Sequence, residues 1–181
     1  MGEHAADNMI CLLNMTHNSE IARICTRLHG EVLSALLEGR TVPEAADRFI
    51  QALAVNDFSK ESELLHRAVY NPCQADEELA ERYAAGKSGT DYGFYVPETL
   101  AIAYDIFLGA GGDMSAAVYR AVNLGGDSDS TASIVAAMIA CQSGGAYKEP
   151  PDMESVQGIE QLRTVSTQLA EAALRRTVKL G

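Results

Sequence analysis

The chain has 181 residues, 47% of them hydrophobic and 22% charged, and its 14 Lys and Arg against 25 Asp and Glu give a net charge of −11. That composition excludes a disordered polymer, and the acidic balance excludes a charge-driven grip on a nucleic-acid backbone. The longest apolar run, Ile134 to Cys141, falls far short of the ~20 residues that span a bilayer. The start Met1-Gly2-Glu3-His4 also lacks the basic and apolar pattern of a leader peptide. The expectation is therefore a soluble, cytoplasmic protein with one domain over 1–181 and neither membrane nor nucleic acid as partner.

Apolar residues recur with the helical period along most of the chain. Ile21, Ile24, Cys25, Leu28, Val32, Ala35 and Leu36 form a stripe that Asn18 or Ser19 can cap and Gly39 can end. A second helix follows Thr41-Val42-Pro43 and gathers Ala46, Phe49, Ile50 and Leu53 on one face. Weaker patterns place Leu64, Leu65, Ala68 and Val69 on a third helix and Leu79, Ala80 and Tyr83 on a fourth, with Asn71-Pro72 between them. The acidic run Asp76-Glu77-Glu78 suits a solvated helix start. Tyr92 to Val96 gives the chain's one hint of a strand.

From about Pro97 a helix carries Leu100, Tyr104, Phe107 and Leu108, and Gly109-Ala110-Gly111-Gly112 turns the chain into another with Ala117, Val118, Ala121 and Val122. Asp129 to Gln142 is apolar nearly all round, which predicts a buried central helix. Ile159, Leu162, Val165, Leu169 and Ala172 mark a last amphipathic helix after Pro150-Pro151. The fold class is all-α. Cys11, Cys25, Cys73 and Cys141 form no Cys-x-x-Cys pair and no zinc spacing, so reduced, buried thiols are expected.

The sharpest chemical feature is Gly125-Gly126-Asp127-Ser128-Asp129-Ser130-Thr131. Two carboxylates two residues apart, followed by hydroxyls, offer hard oxygen donors of the kind that Mg²⁺, Mn²⁺ or Ca²⁺ takes. The double glycine permits close backbone approach to a ligand, and the helix start presents free N–H groups. The same segment also reads as a glycine turn with Asp and Ser caps, which requires no metal. His17, in Met15-Thr16-His17-Asn18-Ser19, either hydrogen-bonds a sugar or phosphate or is a half-exposed member of a capping segment. His29 and His66 have no ligand partners at suitable spacing. No Gly-x-Ser-x-Gly elbow or Cys–His pairing marks a covalent nucleophile, and no catalytic residue is assigned.

Ala121-Val122-Asn123-Leu124-Gly125-Gly126-Asp127-Ser128-Asp129-Ser130, followed by a helix of small residues, resembles the C-terminal signature of the ADP-ribosylglycohydrolases. Pro97-Glu98-Thr99-Leu100-Ala101-Ile102-Ala103-Tyr104 and Thr16-His17 ahead of a long helix resemble it too. The resemblance is strongest from about Gly93 to Gly145. It implies an all-helical domain with a two-metal site for Mg²⁺ or Mn²⁺, hydrolysing the N- or O-glycosidic bond between ADP-ribose and an acceptor. By the same resemblance Asp127, Asp129 and Ser130 are metal ligands, Ser130 standing where the family usually has Thr. Thr16 and His17 lie near ADP-ribose, and Gly93 and Phe94 line its adenosine side, with Gly125 and Gly126 at the substrate.

The family's second acidic metal motif, its site glutamate and its Gly-Asn-Gly phosphate loop have no counterpart before Thr16. The chain thus resembles the C-terminal half to two-thirds of the usual protein, with an incomplete metal site. Its expected partners are ADP-ribose or an ADP-ribosylated protein, and an N-terminal partner chain or a second copy that covers apolar surface. The alternative is a non-catalytic helical module, either an ADP-ribose-binding pseudoenzyme or a structural protein of the crystallin kind.

Overall fold

The computed structural model describes residues 5–88, 91–148 and 151–178. They contain nine α-helices and no strand, and divide into two units, Met1–Lys148 and Glu149–Gly181. The first holds α1 (Ala5–Leu13), α2 (Glu20–Leu37), α3 (Val42–Val55), α4 (Ser59–Tyr70), α5 (Asp76–Tyr83), α6 (Val96–Gly109), α7 (Met114–Leu124) and α8 (Ser128–Gln142). The second holds a short 3₁₀ turn, Met153–Ser155, and α9 (Ile159–Val178). None of the described helices is long and apolar enough to cross a membrane.

Local chemistry sets the helix ends. Ser19 caps α2 by accepting the Ala22 N–H at 3.3 Å. Its far end closes in a Schellman turn, with the Arg40 and Gly39 amides bonding the Ala35 and Leu36 carbonyls. Thr41 and Glu44 form a reciprocal capping box on α3, with Pro43 in its first turn. Asp113 caps α7 through the Ala116 N–H at 3.0 Å.

The element at the centre is α6, not α8. Pro97 and every residue from Leu100 to Phe107 are buried, and the helix is packed by α2, α4, α5, α7 and α8. Fully burying side chains such as Tyr104, Ile102 and Ile106 stabilises the fold by roughly 1.5–3 kcal/mol each. In contrast, α8 buries only Thr131, Val135, Met138 and Ile139, while Ser133 and Ala137 are exposed. The expectation of a buried central helix there is corrected. Alanine and serine carry too little polarity to mark an outer face, whereas the buried Asp105 broke the apolar run of α6 and disguised its position.

Two further differences have physical causes. Tyr92 to Val96 forms a turn leading into α6 and no strand, because its polar backbone groups bond to side chains of α6 and to the start of α8. The run Asp76-Glu77-Glu78 is not merely solvated: Asp76 pairs with Arg120 at 2.7 Å, and Glu78 accepts the Gln74 amide at 3.0 Å. All four thiols are free, but Cys11 on α1 is exposed, contrary to the expectation of buried ones.

Behind α5 and α6 lies a buried polar hub. The Asp105 carboxylate, with no exposed surface, accepts the Cys73 N–H at 2.5 Å, the Tyr83 hydroxyl at 2.9 Å and the Arg82 guanidinium at 2.6 Å. Arg82 also donates to the Asn71 carbonyl, so one carboxylate ties the 71–76 loop and α5 to the central helix.

Candidate metal and substrate site

Between α7 and α8 the chain makes a tight turn through Gly125 and Gly126, both with positive φ, and Asp127 enters α8. Asp127 stands in the N-cap place with φ −77° and ψ 64°, yet its side chain makes no cap hydrogen bond. The helix starts instead on its carbonyl, which accepts the Thr131 N–H at 3.1 Å and the Thr131 hydroxyl at 2.9 Å. The Asp127 carboxyl faces that of Asp129 within hydrogen-bonding reach. This contact and the backbone N–H groups of Ser130 and Asp129 hold the Asp129 carboxyl below the usual carboxylate range. Among the described residues neither carboxylate pairs with a lysine or arginine, and the Ser130 hydroxyl makes no hydrogen bond.

The turn is built against the loop before α6. The Asp127 N–H donates to the Tyr92 carbonyl at 3.1 Å, and the Tyr92 hydroxyl bonds the Leu124 carbonyl, so Tyr92 holds both ends of the turn. Gly93 (φ +83°) and Gly126 (φ +65°) allow this contact. A Cβ at Gly93 would stand 3.2 Å from the Asp127 nitrogen, and one at Gly126 would stand 2.6 Å from the Tyr92 carbonyl oxygen. The close approach that Gly126 permits is thus filled by the protein itself. Phe94, next in sequence, is 66% exposed.

Thr16 and His17 lie in the exposed turn between α1 and α2, where His17 Nδ1 and Thr16 Oγ1 are 2.9 Å apart. The helix they lead into packs against α8, but among the described residues no hydrogen bond joins the pair to the Asp127 turn. The structure brings Gly93, Gly126, Asp127 and Asp129 together, and among the described residues no hydrogen bond ties Thr16 or His17 to them.

The donor set fits a hard divalent cation in kind: two carboxylates, a free serine hydroxyl and no thiol or imidazole. It is small, since no group of three or more His, Cys, Asp or Glu that could hold a metal occurs among the described residues. A cavity of about 420 Å³ lined by Met9, Arg27, Phe49 and Arg48 lies elsewhere, between α1, α2 and α3, with Arg48 paired to Glu31 at 3.2 Å. Covalent catalysis finds no support in the buried thiols. Burial pushes Cys25 up to about 12, helped by Glu61, and Cys73 up to about 11, helped by Asp105.

The turn gripped by the Tyr92-Gly93 loop carries the Gly-Gly-Asp-x-Asp segment on which the family resemblance rests. The family model for ADP-ribosylglycohydrolase matches residues 2–179. The chain belongs to the ADP-ribosylglycohydrolase family. No curated protein and no solved structure matches it. An all-α architecture agrees with this family, and family membership implies ADP-ribose or ADP-ribosylated substrates. The residues that hold the turn, Tyr92, Glu98, Thr99 and Lys87, were not singled out by the sequence for that role. Glu98 and Thr99 had one signal, the Pro-Glu-Thr motif, which points to the family and not to their bonding; Lys87 and Tyr92 had none.

Proposed function

We propose that this chain carries the Asp-x-Asp portion of a metal-dependent ADP-ribosyl hydrolase site, acting on the glycosidic bond between ADP-ribose and an acceptor. One observation carries the reading. Asp127 occupies a cap position without capping, so its carboxylate is left directed at a second carboxylate. Two neighbouring carboxyl groups with no cationic partner among the described residues must share a proton or be joined by a cation.

In this proposal Asp127, Asp129 and Ser130 would hold Mg²⁺ or Mn²⁺. Such an ion, when bound, polarises substrate oxygens and lowers the pKa of water. The chain's own contribution is to favour the ionised form of Asp129, through the Asp127 carboxyl and then backbone N–H groups, and to fix Asp127 through Tyr92. Gly93 and Phe94 would border the adenosine side, with Thr16 and His17 reaching the ribose or phosphates. The presence of only two clustered carboxylates among the described residues supports a second reading, a module that binds ADP-ribose without cleaving it.

Calorimetric titration with ADP-ribose, in Mg²⁺ and then in EDTA, tests both. Magnesium-dependent binding that disappears in Asp127→Ala, together with release of ADP-ribose from a modified acceptor, is the expected outcome. Binding without turnover would favour the second reading. Metal-independent binding kept by Asp127→Ala would remove Asp127 from the site.

A further inference from the structure

We propose that Glu98 and Thr99, in the first turn of α6, are positioning residues for the Asp127–Asp129 turn. The inference rests on the metal reading above and names the part of the chain that sets the turn's geometry.

Consecutive side chains of α6 hold the two polar groups of Gly93. Glu98 Oε2 accepts the Gly93 N–H at 2.9 Å, and the Thr99 hydroxyl donates to the Gly93 carbonyl at 2.5 Å. Glu98 Oε1 receives the Lys87 ammonium at 2.5 Å, and that ammonium also lies 5.6 Å from the centre of the Tyr92 ring. Glu98 is thus not an ordinary first-turn acid interacting with its own helix. Its carboxylate reaches back to residues outside the helix, and the cap residue Tyr95 makes no side-chain cap bond. The residue so fixed lies beside Asp127, where a Cβ on it would stand 3.2 Å from the Asp127 nitrogen, and the residue before it accepts the Asp127 N–H.

The line of force is short. Central helix α6 holds Gly93, the 92–93 backbone holds Asp127, and Asp127 faces Asp129. The Tyr92 carbonyl that accepts the Asp127 N–H at 3.1 Å belongs to the same peptide group as the Gly93 N–H that Glu98 holds, so movement of Gly93 is passed to the Asp127 backbone. A site held to within about half an ångström requires this kind of support.

The test uses the full chain with Mn²⁺ alone as probe, read by the spin-resonance signal of the free ion, and amide exchange at Gly93 and Asp127 without metal. Glu98→Ala and Thr99→Val should each weaken Mn²⁺ at least five-fold and speed exchange of the Asp127 amide about ten-fold. Glu98→Gln, which keeps an acceptor for the Gly93 N–H, should restore both to within two-fold. Should Glu98→Ala fail to fold, Thr99→Val carries the same comparison. Unchanged exchange at Asp127 in a folded variant overturns the proposal, as does faster exchange with Mn²⁺ affinity held within two-fold. If wild type shows no Mn²⁺ binding that Asp127→Asn removes, the metal reading fails. The exchange rates then decide on their own whether Glu98 and Thr99 position the turn.

Discussion

Two sets of aspartates in this molecule stand in opposite circumstances. Asp105 has no exposed surface and is completed from within, by a guanidinium, a phenol and a backbone N–H. Asp127 and Asp129 sit at the surface, and among the described residues they have each other and a few backbone N–H groups but no cation. A buried carboxylate survives only where desolvation is offset by donors, so Asp105 belongs to the fold. A surface pair without such donors adds little to stability. Its placement makes sense as readiness for something outside the chain. The difference separates acids that build from acids that wait.

The sharpest way to break this comparison is at Asp105. Asp105→Ala leaves Arg82 buried and unpaired and strips the Cys73 N–H of its acceptor. It should cost about 3–5 kcal/mol in urea unfolding. Asp105→Asn, which can still accept from Cys73 or Tyr83, should cost about half as much. A loss under 1 kcal/mol in the alanine variant would show that the hub does not hold the 71–76 loop to α6.

A second group, half-buried, gives the protein a pH limit. His29 lies against Tyr104, whose hydroxyl is 3.4 Å from Nδ1, and burial lowers its pKa from 6.5 to about 4. Between those values the unfolded chain binds a proton that the folded chain refuses, so stability falls as pH drops from about 6.5 towards 4. The shift corresponds to about 3 kcal/mol over that window. Unfolding free energies at pH 7 and pH 4.5 should differ accordingly, and His29→Gln should flatten the difference. An equally steep fall in that variant would place the acid sensitivity elsewhere, for example in the carboxylates.

The comparison also explains what was legible in the sequence. Apolar periodicity located α2, α3, α6, α7 and α9, and the Ser19, Thr41 and Gly39 signals located ends that local hydrogen bonds define. Periodicity reports one face of one helix and cannot say which helix is surrounded. That is why α8, with its uncharged alanines, was expected at the centre that α6 occupies. Helix α1 went unseen because its large apolar residues, Met9 to Leu13, run consecutively with no helical period, and the segment is short. At the site, the Asp-x-Asp pair was visible because its donors are adjacent in the chain. Its supports were not. Tyr92 is 32 positions from Leu124, and no local pattern encodes that bond. The hub was hidden in the same way, since Arg82 reaches Asp105 across 23 positions.

A smaller effect should come from the glycine that lets the two segments meet. Gly126→Ala demands φ +65° of an L-residue and sets its Cβ against the Tyr92 carbonyl. The expected cost is about 1–3 kcal/mol, accompanied by a shift of the Tyr92 ring signals in NMR. Gly144, also at positive φ but with nothing near its Cβ position, serves as the control. There Ala should cost about 1 kcal/mol and leave Tyr92 alone. Equal effects at both glycines would mean that backbone strain alone, and not the contact with Tyr92, sets the cost.

The smallest stability effect is the most informative about the surface pair. Asp127→Asn is the same chemical change as Asp105→Asn, yet without metal it should alter unfolding free energy by no more than about 0.5 kcal/mol. It costs no cap bond, and the Asn amide can still donate to the Asp129 carboxylate, so almost no change is expected. Adding Mg²⁺ should then separate the proteins. Wild type gains stability as RT ln(1 + [Mg²⁺]/Kd), about 1.4 kcal/mol at ten times Kd, while Asp127→Asn gains nothing. A variant as destabilised without metal as Asp105→Asn would make Asp127 another structural acid. A variant that responded to Mg²⁺ as wild type does would place the cation away from this turn. Only a protein neutral to the substitution in EDTA and altered by it in Mg²⁺ keeps its surface carboxylates for a ligand.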